Sequence, residues 1–550
     1  MPRSTPVRAS APTPSVAPLS ARPRWLGPDD RPLLGWLSTP RAGGSESGVL
    51  ILPPVGYPWW SVHRTLRVLA ERLAGAGHLA LRLDYDGTGD SAGDQRDADR
   101  LVAWRESARH GAEELRALGV RDLHLAGVRL GGTLALLEGA ELGAESVVAW
   151  APVTRGRRYA REIKLLSTPV PDEARGGGAQ VEAGSVFAAQ TLADVARIDL
   201  HQPDWRSPAR VAFVDGEDTL AERLRQRGSE VELFAPPGGA DALQAPAEYA
   251  AVPEEVVEAL CAAIGPGTPG RAPAPPPVAS ARMTWRGVEL EEEVVFLGPV
   301  GLTGVITHPA APRGGAPTVM FLNSGSEPHV GPGRAWVEYA RELAASGFPV
   351  VRADFRGWGE SPDDGHAPGR PYALHGVEDT RTLVRALRER GHERLVLAGL
   401  CAGAWIALRT VLEEPVAGVV ALNPQLYWQP GDPVEATMAE TRQRREPERE
   451  RDAEGARRGT WDALDRVGQR PWAALWLDEL QATEIPVLLL FAEGDDGIEY
   501  LRTRHGRRTR MVTEATRITI AEVPGIDHSM HRAWLRDEML DRLRGFVSSL

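Results

Sequence analysis

The chain has 550 residues, 42% of them apolar and 25% charged, with a formal charge of −12 at neutral pH. That length exceeds what one compact core accommodates and predicts two domains of roughly 200–260 residues. The acidic balance gives no electrostatic basis for nucleic-acid binding, and no apolar run reaches the roughly 18–20 residues of a membrane span.

Residues 1–22 are rich in Pro, Ser, Ala and Arg and lack an apolar h-region, which predicts a disordered tail and not a secretory signal. The two cysteines, Cys261 and Cys401, offer neither a disulfide framework nor a metal-binding spacing. A cytoplasmic setting follows as the expectation, with no metal and no cofactor. Basic charge is carried by Arg, Lys164 being the only lysine, and this pattern with abundant Ala, Gly and Pro points to a GC-rich bacterial genome.

An internal repeat organises the rest. "VLILPPVGYPWWSVHRTLRVLAERLAGAGHLALRLDYDGTGDS" (49–91) aligns without a gap, at an offset of 270, on "VMFLNSGSEPHVGPGRAWVEYARELAASGFPVVRADFRGWGES" (319–361). Arg64 falls on Arg334, Gly87 on Gly357, Gly89 on Gly359 and Ser91 on Ser361. Residues 23–263 and 283–550 then form two related domains. The Pro/Gly/Ala-rich stretch 264–282 reads as an extended, semi-rigid linker between them.

In the first copy, "LHLAGVRLGGTLALLE" (123–138) is a buried strand, a glycine-flanked turn and a helix, with Arg129 at the turn. A guanidinium stays protonated and cannot serve as a nucleophile. No histidine occurs between His201 and His308, where a base is needed. Asp215 and Asp218 stand without a partner to orient. Arg129 either pairs internally with a carboxylate such as Asp218 or binds a carboxylate or phosphate at the helix N-terminus.

In the second copy, "TVMFLN", "FPVVRAD", "RLVLAG", "VAGVVALN", "IPVLLLFAE" and "TRITIAEVPG" read as strands. "AWVEYARELAAS", "DTRTLVRALRERG" and residues 402–413 read as helices. Buried apolar strands alternating with amphipathic helices predict an α/β fold with a mostly parallel sheet covered on both faces. "LVLAGLCAGAWIALRT" (395–410) repeats the strand–turn–helix with Cys401 at the turn, a nucleophile elbow in which the helix N-terminus favours an anion. The other reading of a Gly-flanked cysteine is a small core hydrophobe. "LLLFAEGDDGIEYL" ends a strand in Asp495, the first candidate for the acid, and Asp496, the alternative. "VPGIDHSMHRAWL" places His528, the candidate base, between the last strand and the last helix.

Both halves resemble the α/β-hydrolase fold, in particular the bacterial serine aminopeptidase-like group. "GLCAGA" and "NSGSEPHVGPGR" in the second half are similar to a subgroup with a GLCSGA-type elbow and an N-x-G-x-x-H-x-x-G-P-x-R segment. "GVRLGG" in the first half is similar to relatives of exosortase-associated hydrolases in which GLRLGA replaces the serine elbow. The resemblance implies two tandem α/β-hydrolase domains, each with a cap insertion, and an oxyanion hole built from the Ala402 and Gly325 amides. His329 is a substrate contact or a structural hydrogen-bonding residue.

Residues 424–484 interrupt the strand pattern as a cap would. Trp428, Trp461, Trp472 and Trp476 either line an apolar acyl pocket or anchor the lid's own core. The run "RQRREPERERDAEGARR" is a solvated helix face or a docking site for an acidic carrier protein. A thiol nucleophile suits an acyl ester or thioester substrate, hence a thioesterase-like acyl hydrolase or an acyltransferase acting through an acyl-cysteine. The alternatives are a small ester or lactone hydrolase, or a non-catalytic tandem pseudohydrolase that binds ligand.

Overall fold

The computed structural model describes residues 21–550 except 42, 175–176, 247–249, 269, 271–272, 326, 364–370, 429–471 and 504–516. The predicted tail, most of the predicted cap and its charged run therefore lie outside the described residues. No helix among the described residues is long and apolar enough to cross a membrane.

Two large sheets carry the fold. The first is formed by β1 (Arg22–Leu26), β2 (Leu33–Ser38), β3 (Ser47–Leu52), β4 (Leu79–Leu83), β5 (Asp122–Val128), β6 (Ser146–Trp150), β10 (Arg210–Val214) and β11 (Glu230–Phe234), in the order β1-β2-β4-β3-β5-β6-β10-β11. The second comprises β12 (Ser280–Trp285), β13 (Val288–Leu297), β14 (Leu302–Pro309), β15 (Thr318–Phe321), β16 (Val350–Ala353), β17 (Leu395–Leu400), β18 (Gly418–Leu422), β19 (Val487–Ala492) and β20 (Ile518–Val523). Its order is β12-β13-β14-β16-β15-β17-β18-β19-β20, the same path with one more edge strand. In each sheet the pairs from β4 or β16 onward are parallel and the leading edge is antiparallel.

The central strand β17 is apolar throughout and buried, and β5 departs from that pattern only at Asp122 and His124, because helices cover both faces. In the first half the helices are α1 (Tyr57–Gly75), α2 (Arg100–Ala117), α3 (Leu130–Gly139), α4 (Gly156–Leu166), α5 (Ala189–Val195), α6 (Asp218–Gln226), α7 (Gly239–Gln244) and α8 (Glu254–Ile264). In the second they are α9 (Ala335–Ala345), α10 (Leu374–Glu389), α11 (Ala402–Thr410), α12 (Trp472–Thr483) and α13 (Arg536–Ser549). Between α4 and α5 a small sheet of β7 (Thr168–Pro169), β8 (Gln180–Glu182) and β9 (Ser185–Phe187) completes an insertion on the first half.

Two features depart from the sequence expectation. The antiparallel strands β12–β14 precede the first strand read from the repeat. Helix α10 begins at Leu374, five residues before the predicted start. Described residues of the stretch 264–282 bond back to the first half: Gly267 N–H donates to Ala76 O at 2.9 Å, and Gly270 N–H to Gly44 O at 3.1 Å. Val278 adds a bridge to β1.

The halves meet through reciprocal ion pairs. Arg82 of β4 makes a bidentate pair with Glu360, at 2.8 and 2.5 Å. Its repeat counterpart, Arg352 of β16, pairs with Asp90, the counterpart of Glu360. Arginines then grip the partner loop's carbonyls: Arg67 holds Gly359 and Ser361, and Arg334 holds Gly89, Ser91 and Gly93. Apolar clusters span the same seam, with Trp25, Trp36 and Ala92 against Trp285 and Val305, and Trp59 and Trp60 against Val330 and Val337.

Breaking a buried ion pair from one side leaves an uncompensated charge, which typically costs about 3–5 kcal/mol. Exposed pairs contribute about 0–1 kcal/mol. Arg82→Ala is thus expected to lower the calorimetric unfolding temperature by several degrees, while Arg72→Ala, which removes the exposed pair with Glu254, leaves it nearly unchanged. Equal small shifts would contradict the structural weight given to the seam.

Candidate active site

Cys401 sits between β17 and α11 with φ 53° and ψ −109°, a conformation that an L residue adopts only under constraint. Its glycine neighbours show where the constraint comes from. A Cβ on Gly399 would lie 2.4 Å from the Gly403 carbonyl carbon, and one on Gly403 would lie 2.4 Å from Asn323 O. The strand, the helix and the loop after β15 are packed too closely there for any side chain. The Cys401 amide donates to Leu422 O at 2.9 Å, fixing the turn against β18.

Asp495 lies just past β19 and His528 in the loop between β20 and α13. His528 Nδ1 donates to Asp495 Oδ2 at 2.5 Å; the carboxylate is buried and the imidazole is about one-third exposed. Asp495 Oδ1 also accepts from Gly497 N–H at 2.9 Å. Burial opposes charging of His528, but the Cys401 sulfur and the Asp495 carboxylate outweigh it and hold the ring well above the ordinary histidine range. Asp496 is next to this pair and half-buried, whereas Asp495 is the one bonded to His528.

Gly325 has φ 55°, a left-handed conformation that suits glycine. Neither its amide nor that of Ala402 donates to a backbone carbonyl outside a helix among the described residues.

Three residues that sequence reasoning passed over surround this cluster. Asn423, immediately after β18, donates to His528 O at 2.6 Å and accepts from Ala492 N–H at 2.6 Å, tying the acid-bearing and base-bearing loops together. Tyr372 OH lies 3.2 Å from Cys401 Sγ and 2.9 Å from Gln425 Oε1. Trp428 Nε1, which can only donate, also bonds Gln425 Oε1 at 2.9 Å. That fixes the amide oxygen toward Tyr372, so the tyrosine proton goes to Gln425 and its lone pair faces the sulfur. Burial first, and the Cys401 charge second, hold the Tyr372 hydroxyl well above its ordinary value, so it remains protonated. Asn423 and Gln425 carry one signal in sequence, a place just beyond the carboxyl end of a buried strand, where ligands of open α/β sheets bind. Tyr372 carries none.

The predicted site residues divide. Cys401, His528 and Asp495 come together, and Trp428 packs on Tyr372 with ring centroids 5.7 Å apart. Trp461, and the side chains of Trp472 and Trp476 on α12, lie outside the described residues. His329 is not brought to the cluster as a substrate contact. It is buried with Nδ1 on Asp354 at 2.6 Å and Nε2 on Asp90 at 2.7 Å, so neither nitrogen is left for a ligand.

In the first half, Arg129 keeps the elbow conformation, φ 51° and ψ −119°. Its partner is Glu162 on α4, at 2.8 Å, and not Asp218, which starts α6. The cap helix therefore supplies the carboxylate, which the sequence separation of 33 residues did not reveal. His201 Nε2 pairs with Glu217 at 3.1 Å, and Thr154 donates to the same carboxylate at 2.8 Å. No group of three or more His, Cys, Asp or Glu among the described residues is arranged to hold a metal ion.

Residues 319–541 match the alpha/beta hydrolase family. That stretch holds Cys401, Asp495 and His528. No curated protein matches the chain. Among solved structures, an esterase of Pyrococcus furiosus is 17% identical, covering 48% of this chain and 94% of its own, with a TM-score of 0.34. The corresponding values are 16%, 47%, 98% and 0.32 for a proline iminopeptidase of Mycobacterium smegmatis, and 13%, 46%, 95% and 0.31 for a dienelactone hydrolase of Anabaena variabilis.

Two outcomes follow for the thiols. Burial pushes the Cys261 thiol up, which slows its alkylation near neutral pH. Limited iodoacetamide treatment is therefore expected to modify Cys401 first; Cys261 reacting first would contradict the site. Gln425→Leu frees the Tyr372 proton to bond a thiolate. A charge-assisted bond to the thiolate contributes about 1.5–3 kcal/mol, so alkylation of Cys401 at neutral pH is expected to be faster in Gln425→Leu than in wild type. Tyr372→Phe should abolish that gain in the double variant. An unchanged or slower alkylation rate in Gln425→Leu would contradict the bond polarity.

Proposed function

We propose that the second half is a cysteine-dependent acyl hydrolase or acyltransferase acting on an ester or thioester. The observation that supports this best is the short His528–Asp495 bond beside a constrained cysteine elbow. Because Nδ1 is committed to Asp495, Nε2 is the nitrogen left to take the Cys401 proton. The thiolate attacks the acyl carbon, and the Ala402 and Gly325 amides face the oxyanion as the carbonyl bond opens. Collapse expels the alcohol or thiol, which recovers its proton from His528. Water or an acceptor then gives a proton to the same nitrogen, attacks the thioester, and releases the acid or the transferred acyl product while Cys401 regains its thiol. Tyr372, next to the sulfur, is backed by Trp405 and Trp428, an aromatic group that suits an apolar acyl chain.

The first half is proposed as a related but non-catalytic domain. Arg129 holds the nucleophile position, and its guanidinium is engaged by Glu162 and lies 5.7 Å from the Tyr159 ring centre.

Turnover of p-nitrophenyl acetate tests the assignment. His528→Ala is expected to cost several orders of magnitude in kcat, as loss of a triad base does. Asp495→Asn should be severely impaired and Asp496→Asn close to wild type. Near-normal activity in both His528→Ala and Asp495→Asn would overturn the reading. Asp496→Asn alone being damaging would move the acid to its neighbour.

A further inference from the structure

The loop after β15, which carries Gly325, is held from outside its own domain. Asn323 at its start accepts from Phe355 N–H at 2.9 Å and donates from Nδ2 to Glu327 O and to Asp354 Oδ1, each at 2.9 Å. Asn323 thus staples both ends of residues 323–327 to the Asp354 carboxylate. Asp354 in turn receives the His329 amide at 2.7 Å and His329 Nδ1 at 2.6 Å. A ring with a carboxylate on each nitrogen donates from both, so His329 is an imidazolium, and its second carboxylate is Asp90 of the first half. Arg352 completes the set by binding Asp90 and Glu292.

The repeat provides an internal control. In the first half, Asp84 corresponds to Asp354, but Pro53 stands at the position of Asn323 and Trp59 at that of His329. Without those partners Asp84 is pushed up to about 6, by burial first and the Asp90 charge second. Across the seam Glu360, the counterpart of Asp90, meets Arg82 and His63 and reaches no equivalent loop. Among the described residues the relay from carboxylate to loop is found on the Cys401 side alone, although the ion pairs are reciprocal.

We propose that Asp90 of the first half is a positioning residue for the second half's candidate site, holding the Gly325 loop through His329, Asp354 and Asn323. This rests on the acyl-transfer reading for its catalytic consequence, though not for its structural one. The first half then serves as a fixed support that keeps an oxyanion donor in place across the seam.

Acylation needs the oxyanion donors, whereas alkylation of Cys401 by iodoacetamide needs only the thiolate. Asp90→Asn is therefore expected to slow acylation by p-nitrophenyl acetate about 10–100-fold, below the full loss of one donor, with Cys401 alkylation within about twofold of wild type. Glu360→Gln disturbs the same seam through its side chain, keeps the Glu360 amide on Asp354 at 3.0 Å, and should leave the ratio of the two rates unchanged. Hydrogen exchange of the 323–327 amides should accelerate in Asp90→Asn and not in Glu360→Gln, a readout independent of any substrate. His329→Gln breaks the relay at its middle link and should repeat the Asp90→Asn signature if that variant folds poorly. Equal losses in Asp90→Asn and Glu360→Gln, or unchanged exchange in Asp90→Asn and His329→Gln, would overturn the proposal. Wild type inert to the ester, with accelerated exchange in Asp90→Asn, would overturn the acyl-transfer reading and keep the relay.

Discussion

Charge neutrality inside the seam is the constraint on which the rest depends. Asp90, Glu292 and Asp354 are buried with Arg341, Arg352 and His329, three carboxylates against three cations. Each of these charges taken singly out of water costs several kcal/mol. As a closed set, with nearly every donor directed at an oxygen, they hold one another in the charged form. Burial would raise Asp354 and Glu292, yet the adjacent cations keep both below the usual carboxylate range. The network spans both halves, so neither can present these residues alone without stranding charge. This makes the two-sheet arrangement specific, because an apolar seam would tolerate sliding whereas directional ion pairs do not.

The seam also explains an asymmetry between the halves. Strands β4 and β16 bring Arg82 and Arg352 to corresponding places in the two sheets, and the loops that follow bring Asp90 and Glu360 to the opposite arginine. From this common frame the second half diverges at Asn323 and His329, and its loop becomes tied to Asp354. The first half diverges at Pro53 and Trp59, and at Arg129, whose charge is met by its own cap helix. Both elbows keep almost the same backbone torsions, so the strained turn is a property of strand–helix packing, independent of whether a nucleophile occupies it.

Much of this was legible in the sequence, for identifiable reasons. Buried parallel strands announce themselves as continuous apolar runs, and the glycine pattern around Cys401 marks a turn with no room for side chains. Asp495 and His528 follow strand ends in the expected chain order. The antiparallel edge β12–β14 was missed because its alternating, partly charged pattern lies before the repeat. His329 was ambiguous because its partners, Asp90 and Asp354, are 239 and 25 residues away. Tyr372 and Glu162 were missed for the same reason: a single hydroxyl or carboxylate delivered by tertiary packing leaves no local period. The glycine of the candidate oxyanion loop could be named, but what holds that loop could not, since the restraint comes from the other half of the chain.

The central claim is that Cys401 carries the acyl group. Rapid acid quenching after mixing with the acetyl thioester of N-acetylcysteamine, followed by intact-protein and peptide mass spectrometry, tests it most directly. The account predicts one acetyl increment, located on the peptide that contains Cys401, absent in Cys401→Ala and much slower to appear in His528→Ala. An acetyl group on another residue, or product formed at the wild-type rate by Cys401→Ala, would contradict it.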